Sequence, residues 1–167
     1  MDPFLLGDVP RADPLRSAWL RGLQHLEDNL DRWVADLEPA GYWWTPHPAL
    51  NPIGNLVRHI GGSSLRLLHY AQGRMPSEEL RAEGATDFTF SGANGVELLQ
   101  GCMERLNTVR SGLMALDASE LETVREVGRK RVPVRTVIIV QHLLEHGHAH
   151  AGQVITMRKL HDAQTGD

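Results

Sequence analysis

Four of the chain's nine histidines, His142, His146, His148 and His150, fall within one short stretch near the C-terminus. Imidazole is a common metal ligand and the side chain that titrates nearest neutral pH. On a helix, at about 100° and about 1.5 Å per residue, His146 and His150 lie about 40° apart and about 6 Å along the axis. Both can therefore reach one ion. They share a face with Ile139, Leu143, Gln153 and Met157, and a face that is mostly apolar turns inward. His142 falls about 80° from His150, Glu145 lies further round the polar side, and His148 points almost opposite to His150. A pair of imidazoles supplies half of a tetrahedral site. Catalytic metal sites commonly use three protein ligands and keep one position for water or substrate. A third donor must come from another element.

The best donor outside this stretch is His59, three residues after Leu56 and one before Ile60, at the edge of an apolar helical stripe. His25 and His69 sit among polar neighbours and are weaker. The bland alternatives are hydrogen-bonded core histidines or a solvated, pH-sensitive patch. The inward turn of two of the four favours a site. His142 and His148 crowd the motif, and either could stand in for a ligand. His142-Leu143-Leu144-Glu145-His146 also spells the H-x-x-E-H pattern of a protease class. That class takes a third ligand far downstream, and only 21 residues (167 minus 146) follow His146, with Asp162 the carboxylate near the helix. A protease is set aside. Gln153 and Asn55, each one turn from a candidate ligand, could orient the rings or simply pack. Trp43 and Trp44 could line a pocket mouth or cover the core.

Four helices must position these groups. The first is expected over about Leu15 to Leu37, on Leu15, Trp19, Leu23, Leu26, Leu30, Trp33 and Leu37, with Asp13-Pro14 as its start signal. The second runs from about Ile53 to Gln72, after a loop with three prolines. It contains Gly61-Gly62, which cost about 1 kcal/mol each against alanine and so imply a close helix–helix approach. Gly73 to Asn94 reads as a long connection. The third helix spans about Gly95 to Leu116, on Val96, Leu99, Met103, Leu106, Val109, Leu113 and Leu116. Leu121 to Val132 could hold a short hairpin around Gly128. The fourth helix is expected from about Val134 to Leu160, behind Pro133. The fold class is all-α, a four-helix bundle with a long connection between helices 2 and 3, and residues 1–167 form one domain.

Composition narrows the function classes. The formal net charge of −4 offers no basic stripe for nucleic acid. Gly128-Arg129-Lys130-Arg131 reads as a solvated turn. No stretch approaches the ~20 apolar residues of a membrane span, and the N-terminus, with its early Asp2, does not follow the signal-peptide pattern. The single cysteine, Cys102, permits no intramolecular disulfide, so the reducing cytoplasm is the expected compartment. Cys102 lies in an apolar helical pattern, where a buried inert thiol is expected.

Two segments resemble the DinB/YfiT-like family of metal-binding bundle proteins. Asn55-Leu56-Val57-Arg58-His59-Ile60-Gly61-Gly62 is similar to that family's second-helix segment, a His followed by a hydrophobic and small residues. His146-Gly147-His148-Ala149-His150-Ala151-Gly152-Gln153 is similar to its last-helix pattern of His, three residues, His, one residue, Gly, Gln. The resemblance implies a four-helix bundle with a divalent metal, nickel, zinc or iron, on His59, His146 and His150. It implies a metal-dependent thiol S-transferase using a thiol such as bacillithiol or mycothiol, or a hydrolase, acting on a small molecule, often as a homodimer. A non-enzymatic metal- or ligand-binding module is the alternative, and a scaffold dimer with structural histidines a third reading. Because ligation needs neutral imidazole, affinity should fall below about pH 6.

Overall fold

The computed structural model describes residues 1–92 and 94–166. Five α-helices and one small hairpin account for most of its regular structure, with short 3-10 turns at Pro3–Leu6 and Ala118–Glu120. Helix α1 is Pro14–Val34, α2 Ile53–Ala71, α3 Glu78–Ala85, α4 Gly95–Ala115 and α5 Thr136–Thr165. Strands β1, Val124–Val127, and β2, Val132–Arg135, pair antiparallel just ahead of α5. No helix among the described residues is long and apolar enough to cross a membrane.

Local chemistry sets each start. Asp13 caps α1 by accepting from the backbone N–H groups of Leu15 and Arg16, both at 3.0 Å, and Pro14 fills the first helical position, where no N–H is needed. Ser77 and Asn94 do the same for α3 and α4, accepting from Leu80 N at 3.2 Å and Val96 N at 3.0 Å. Pro52 precedes α2 without a side-chain cap. There the Gly54 N–H donates to the Tyr42 carbonyl at 2.8 Å. Gly166, at φ +82°, terminates α5 in the left-handed region that glycine tolerates.

The four long helices pack pairwise: α2 against α4 and α5, and α1 against the same two. Their buried sides form one hydrophobic cluster that includes Leu23, Leu26 and Leu30 of α1, Leu56 and Ile60 of α2, Leu106 and Leu113 of α4, and Leu143 and Val154 of α5. Gly61 marks a close contact between α2 and α4. A Cβ on Gly61 would lie 2.9 Å from the Cys102 Cα, so α2 and α4 touch backbone to backbone there.

Several expectations need correction. Helix α1 stops at Val34 rather than Leu37. Leu37 N–H bonds back three residues to the Val34 carbonyl, and Pro39 disfavours helical geometry at Glu38. Leu15 and Val96, placed in the buried stripes, are 41% and 49% exposed. The long connection contains α3, an eight-residue helix that buries only Leu80 and so leaves little periodic signal. The last helix begins at Thr136, not Val134. Val134 pairs with Arg125 in the hairpin and Pro133 sits opposite Glu126, a position a two-stranded ribbon permits because each strand has a free edge.

Candidate metal centre

The mid-point of α2 faces the middle of α5, and the histidines meet there. His59 Nε2 lies 2.8 Å from His146 Nε2. Ring centroids are 4.7 Å apart for His59 and His150 and 4.5 Å for His146 and His150. One ligand atom from each ring lies within 4.8 Å of the others, and the three residues are half-buried. The α2–α5 contact thus brings together all three rings singled out in the sequence.

The other histidines go elsewhere. His148 turns to α1, where its Nε2–H donates to the Gly22 carbonyl at 3.0 Å and its ring lies 5.4 Å from that of His25. His142 is exposed at the outer end of the row, 5.5 Å from His146 centroid to centroid. Glu145 accepts from the exposed Gln141 amide at 2.9 Å, away from the site, which leaves the protease pattern without its acid. Cys102 is buried, and desolvation pushes its thiol up to about 12. It is inert packing against Gly61.

Two flanking contacts set the proton positions on the rings. His59 Nδ1 lies 2.9 Å from Asp87 Oδ2, and His150 Nδ1 lies 3.1 Å from Gln153 Oε1. Both partners accept, so each ring, when neutral, carries its proton on Nδ1 and its lone pair on Nε2, that of His59 facing His146 Nε2. Burial, aided by the positive charge that protonated His150 and His59 would carry, lowers His146 from 6.5 to about 4. Burial also lowers His150, against the opposing hydrogen bond to Gln153. These rings are held neutral, the state a metal ligand needs.

Asp87 was not singled out in the sequence. It follows α3 in the polar connection, and no periodicity flags a lone buried acid in a loop. Its side chain is fully buried. Oδ1 accepts from Arg58 Nη1 at 3.0 Å, and Oδ2 from Arg66 Nη2 at 3.1 Å. Burial is the strongest influence and would raise its pKa. The hydrogen bond from His59 and the Arg66 charge outweigh it, and the carboxyl is held below the usual range. Asn55 is buried too, and its Oδ1 has no partner among the described residues.

Phe88, 40% exposed, covers the outer side of the site, its ring 4.6 Å from His59 and 6.1 Å from His150. Trp43 packs beside Phe90, 6.2 Å away, and over Gly54, while Trp44 meets His161 edge-on. These two tryptophans cover the core. A groove of about 300 Å³ begins at Gln153 and runs past Leu56, Gly152 and Met157 toward Leu50 and Leu160.

No curated protein matches this chain. The family model of the DinB superfamily matches residues 23–154, a span that contains His59, Asp87, His146 and His150. With most of its length matched, the chain belongs to the DinB superfamily.

Proposed function

We propose that this protein binds one divalent metal ion on His59, His146 and His150 and uses it in small-molecule chemistry, as a thiol S-transferase in preference to a hydrolase. The observation that carries the reading is the convergence of three imidazoles from two helices, two of them, His146 and His150, held neutral by burial. The donor set suits the ion: three borderline nitrogen donors fit nickel, zinc or iron and leave positions for water or substrate. Two of the rings have Nδ1 committed to acceptors, which leaves Nε2 as the ligating atom, the arrangement that carboxylates and amides impose on ligating histidines. When bound, the cation would lower the pKa of a thiol or a water toward neutrality.

The chain's own groups bear on which. Both oxygens of Asp87 are already engaged by Arg58, Arg66 and His59, and Glu145 faces away. Neither is placed as a general base. A nucleophile here would therefore be activated by the cation alone, which has to lower a thiol's pKa far less than that of water. Phe88 and the groove beyond Gln153 offer apolar walls to a small substrate. A low-molecular-weight thiol such as bacillithiol or mycothiol would be the second substrate. In this reading α1, α2, α4 and α5 are the family's four-helix bundle, α3 is an insertion in its long connection, and the single domain works in the cytoplasm as a homodimer.

The first test is elemental analysis of purified protein. Near one equivalent of nickel, zinc or iron is expected, with loss in His146→Ala. A metal-free wild type after growth and dialysis in each metal would refute the reading. Depletion of a thiol in the presence of an electrophile then separates the transferase from a non-enzymatic binder. No turnover across thiol and ester panels would leave only metal or ligand binding.

A further inference from the structure

We infer that Asp87 is the positioning residue that presets His59 as an Nε2 donor, and that the α3 connection exists in part to deliver it. A buried carboxylate is tolerated only when paired, and here two guanidiniums from α2 pair it. Arg58 reaches it from the position next to His59, and Arg66 from two turns further on. The same arginines also donate to the Glu83 and Leu80 carbonyls, each at 3.3 Å. Segment 80–87 is thereby clipped along α2. Both guanidiniums donate to its carboxyl oxygens, so Asp87 stands as the acceptor in its contact with His59 Nδ1. In the neutral ring His59 Nδ1 then carries the proton, and its Nε2 presents a lone pair toward His146, whose Nε2 lies 2.8 Å away.

A merely structural clip would not need the third contact. Glu83 already holds the segment to α4, accepting from Arg105 Nη1 and Nη2 at 2.6 and 2.8 Å. The bond from His59 to Asp87 adds nothing to that clasp that the arginines do not supply. Its distinctive product is the choice of tautomer and the aim of the ring. The part of this inference that concerns metal affinity rests on the metal reading above; the part that concerns the tautomer does not.

The experiment therefore has two arms. In the first, the full chain is labelled with 15N-histidine, stripped with chelator and examined at pH 8 by two-bond nitrogen–proton correlation. His59 is assigned by the signal missing from His59→Gln. The Nδ1–H tautomer is expected at His59, and the Nε2–H tautomer would overturn the inference whatever any variant does. In the second, Co2+ affinity is measured by chelator competition for wild type, Asp87→Asn and Arg105→Gln. Loss of such an outer partner typically weakens metal binding about 10- to 100-fold. Asp87→Asn should show that loss, while Arg105→Gln, which loosens the clasp without touching His59, should bind as the wild type does. Equal losses in both variants would reduce Asp87 to a structural clip. Should Asp87→Asn fail to fold, the first arm still decides. A wild type that takes up no Co2+ would sink the metal reading while leaving the tautomer result to judge Asp87.

Discussion

Position 146 carries the sharpest consequence of burial. Its ring ionises near 6.5 in an unfolded chain and near 4 here, chiefly because of desolvation. Between those values the unfolded state binds the proton and the folded state does not. Stability from this group is therefore complete above about pH 6.5 and is lost as pH falls toward 4. His148 and His150 shift the same way, both mainly through burial, and Asp87 adds its own loss only further into acid, below the usual carboxylate value of 3.8. Urea unfolding of the metal-free protein should weaken by roughly 2 kcal/mol between pH 7 and pH 4.5, allowing for partial exposure. His146→Gln should make the fall shallower, leaving the part due to His148 and His150; an equally steep fall in that variant would show the burial argument wrong. The same shift would move acid release of the proposed ion below the pH 6 expected of a free imidazole. The histidine pattern was legible in the sequence because helical spacing alone puts His146 and His150 on one inward face. The fate of His142 and His148 was settled by what α1 and solvent offer them, and Asp87 by arginines on another element. Neither depends on local spacing.

Among the elements, a long periodicity marks a helix in the sequence and a short one does not. Helices α1, α2 and α4 each run some five turns with a buried stripe, so their existence was plain and their ends were off by no more than three residues. Helix α3 has two turns and one buried side chain, too little for a moment to build. Around residue 134 the sequence Val-Pro-Val satisfies both a strand and a helix start, and pairing with β1 decides for the strand. Gly61 was legible for a physical reason: a helix accepts adjacent glycines at a cost that only close packing offsets. Gly61→Ala tests that reason. The new methyl would meet the Cys102 backbone at 2.9 Å and its Sγ at 3.2 Å. Backbone cannot swing aside as a flexible side chain does, so destabilisation of about 1–3 kcal/mol is expected despite alanine's better helix propensity. Denaturant midpoints at constant slope measure it. A neutral or stabilised variant would mean that α2 and α4 are less closely apposed.

For the whole molecule, the proposed ion would act as a cross-link. His59 and His146 are 87 positions apart in sequence yet 2.8 Å apart in space, and the helices that carry them are joined otherwise by apolar packing that tolerates small separations. An ion bound only by the folded arrangement stabilises it by mass action, by about 2.7 kcal/mol at a hundredfold excess over its dissociation constant. Metal should therefore raise the melting temperature of the wild type, and His150→Ala should lose most of that rise although its ring is half-buried and packs little core. The effect should also be local. Amide exchange in metal-free protein should quicken at the centre of α2, around His59, and between His146 and His150 of α5. The α1–α4 contact, which holds Leu26, Leu106 and Leu113 in the common core, should change little. Uniform protection across all helices on adding metal would point to tighter global folding rather than a clamp. Protection confined to α5 would mean that His146 and His150 bind without His59. Protection shared by α2 and α5 alone is the pattern that three imidazoles on two helices require.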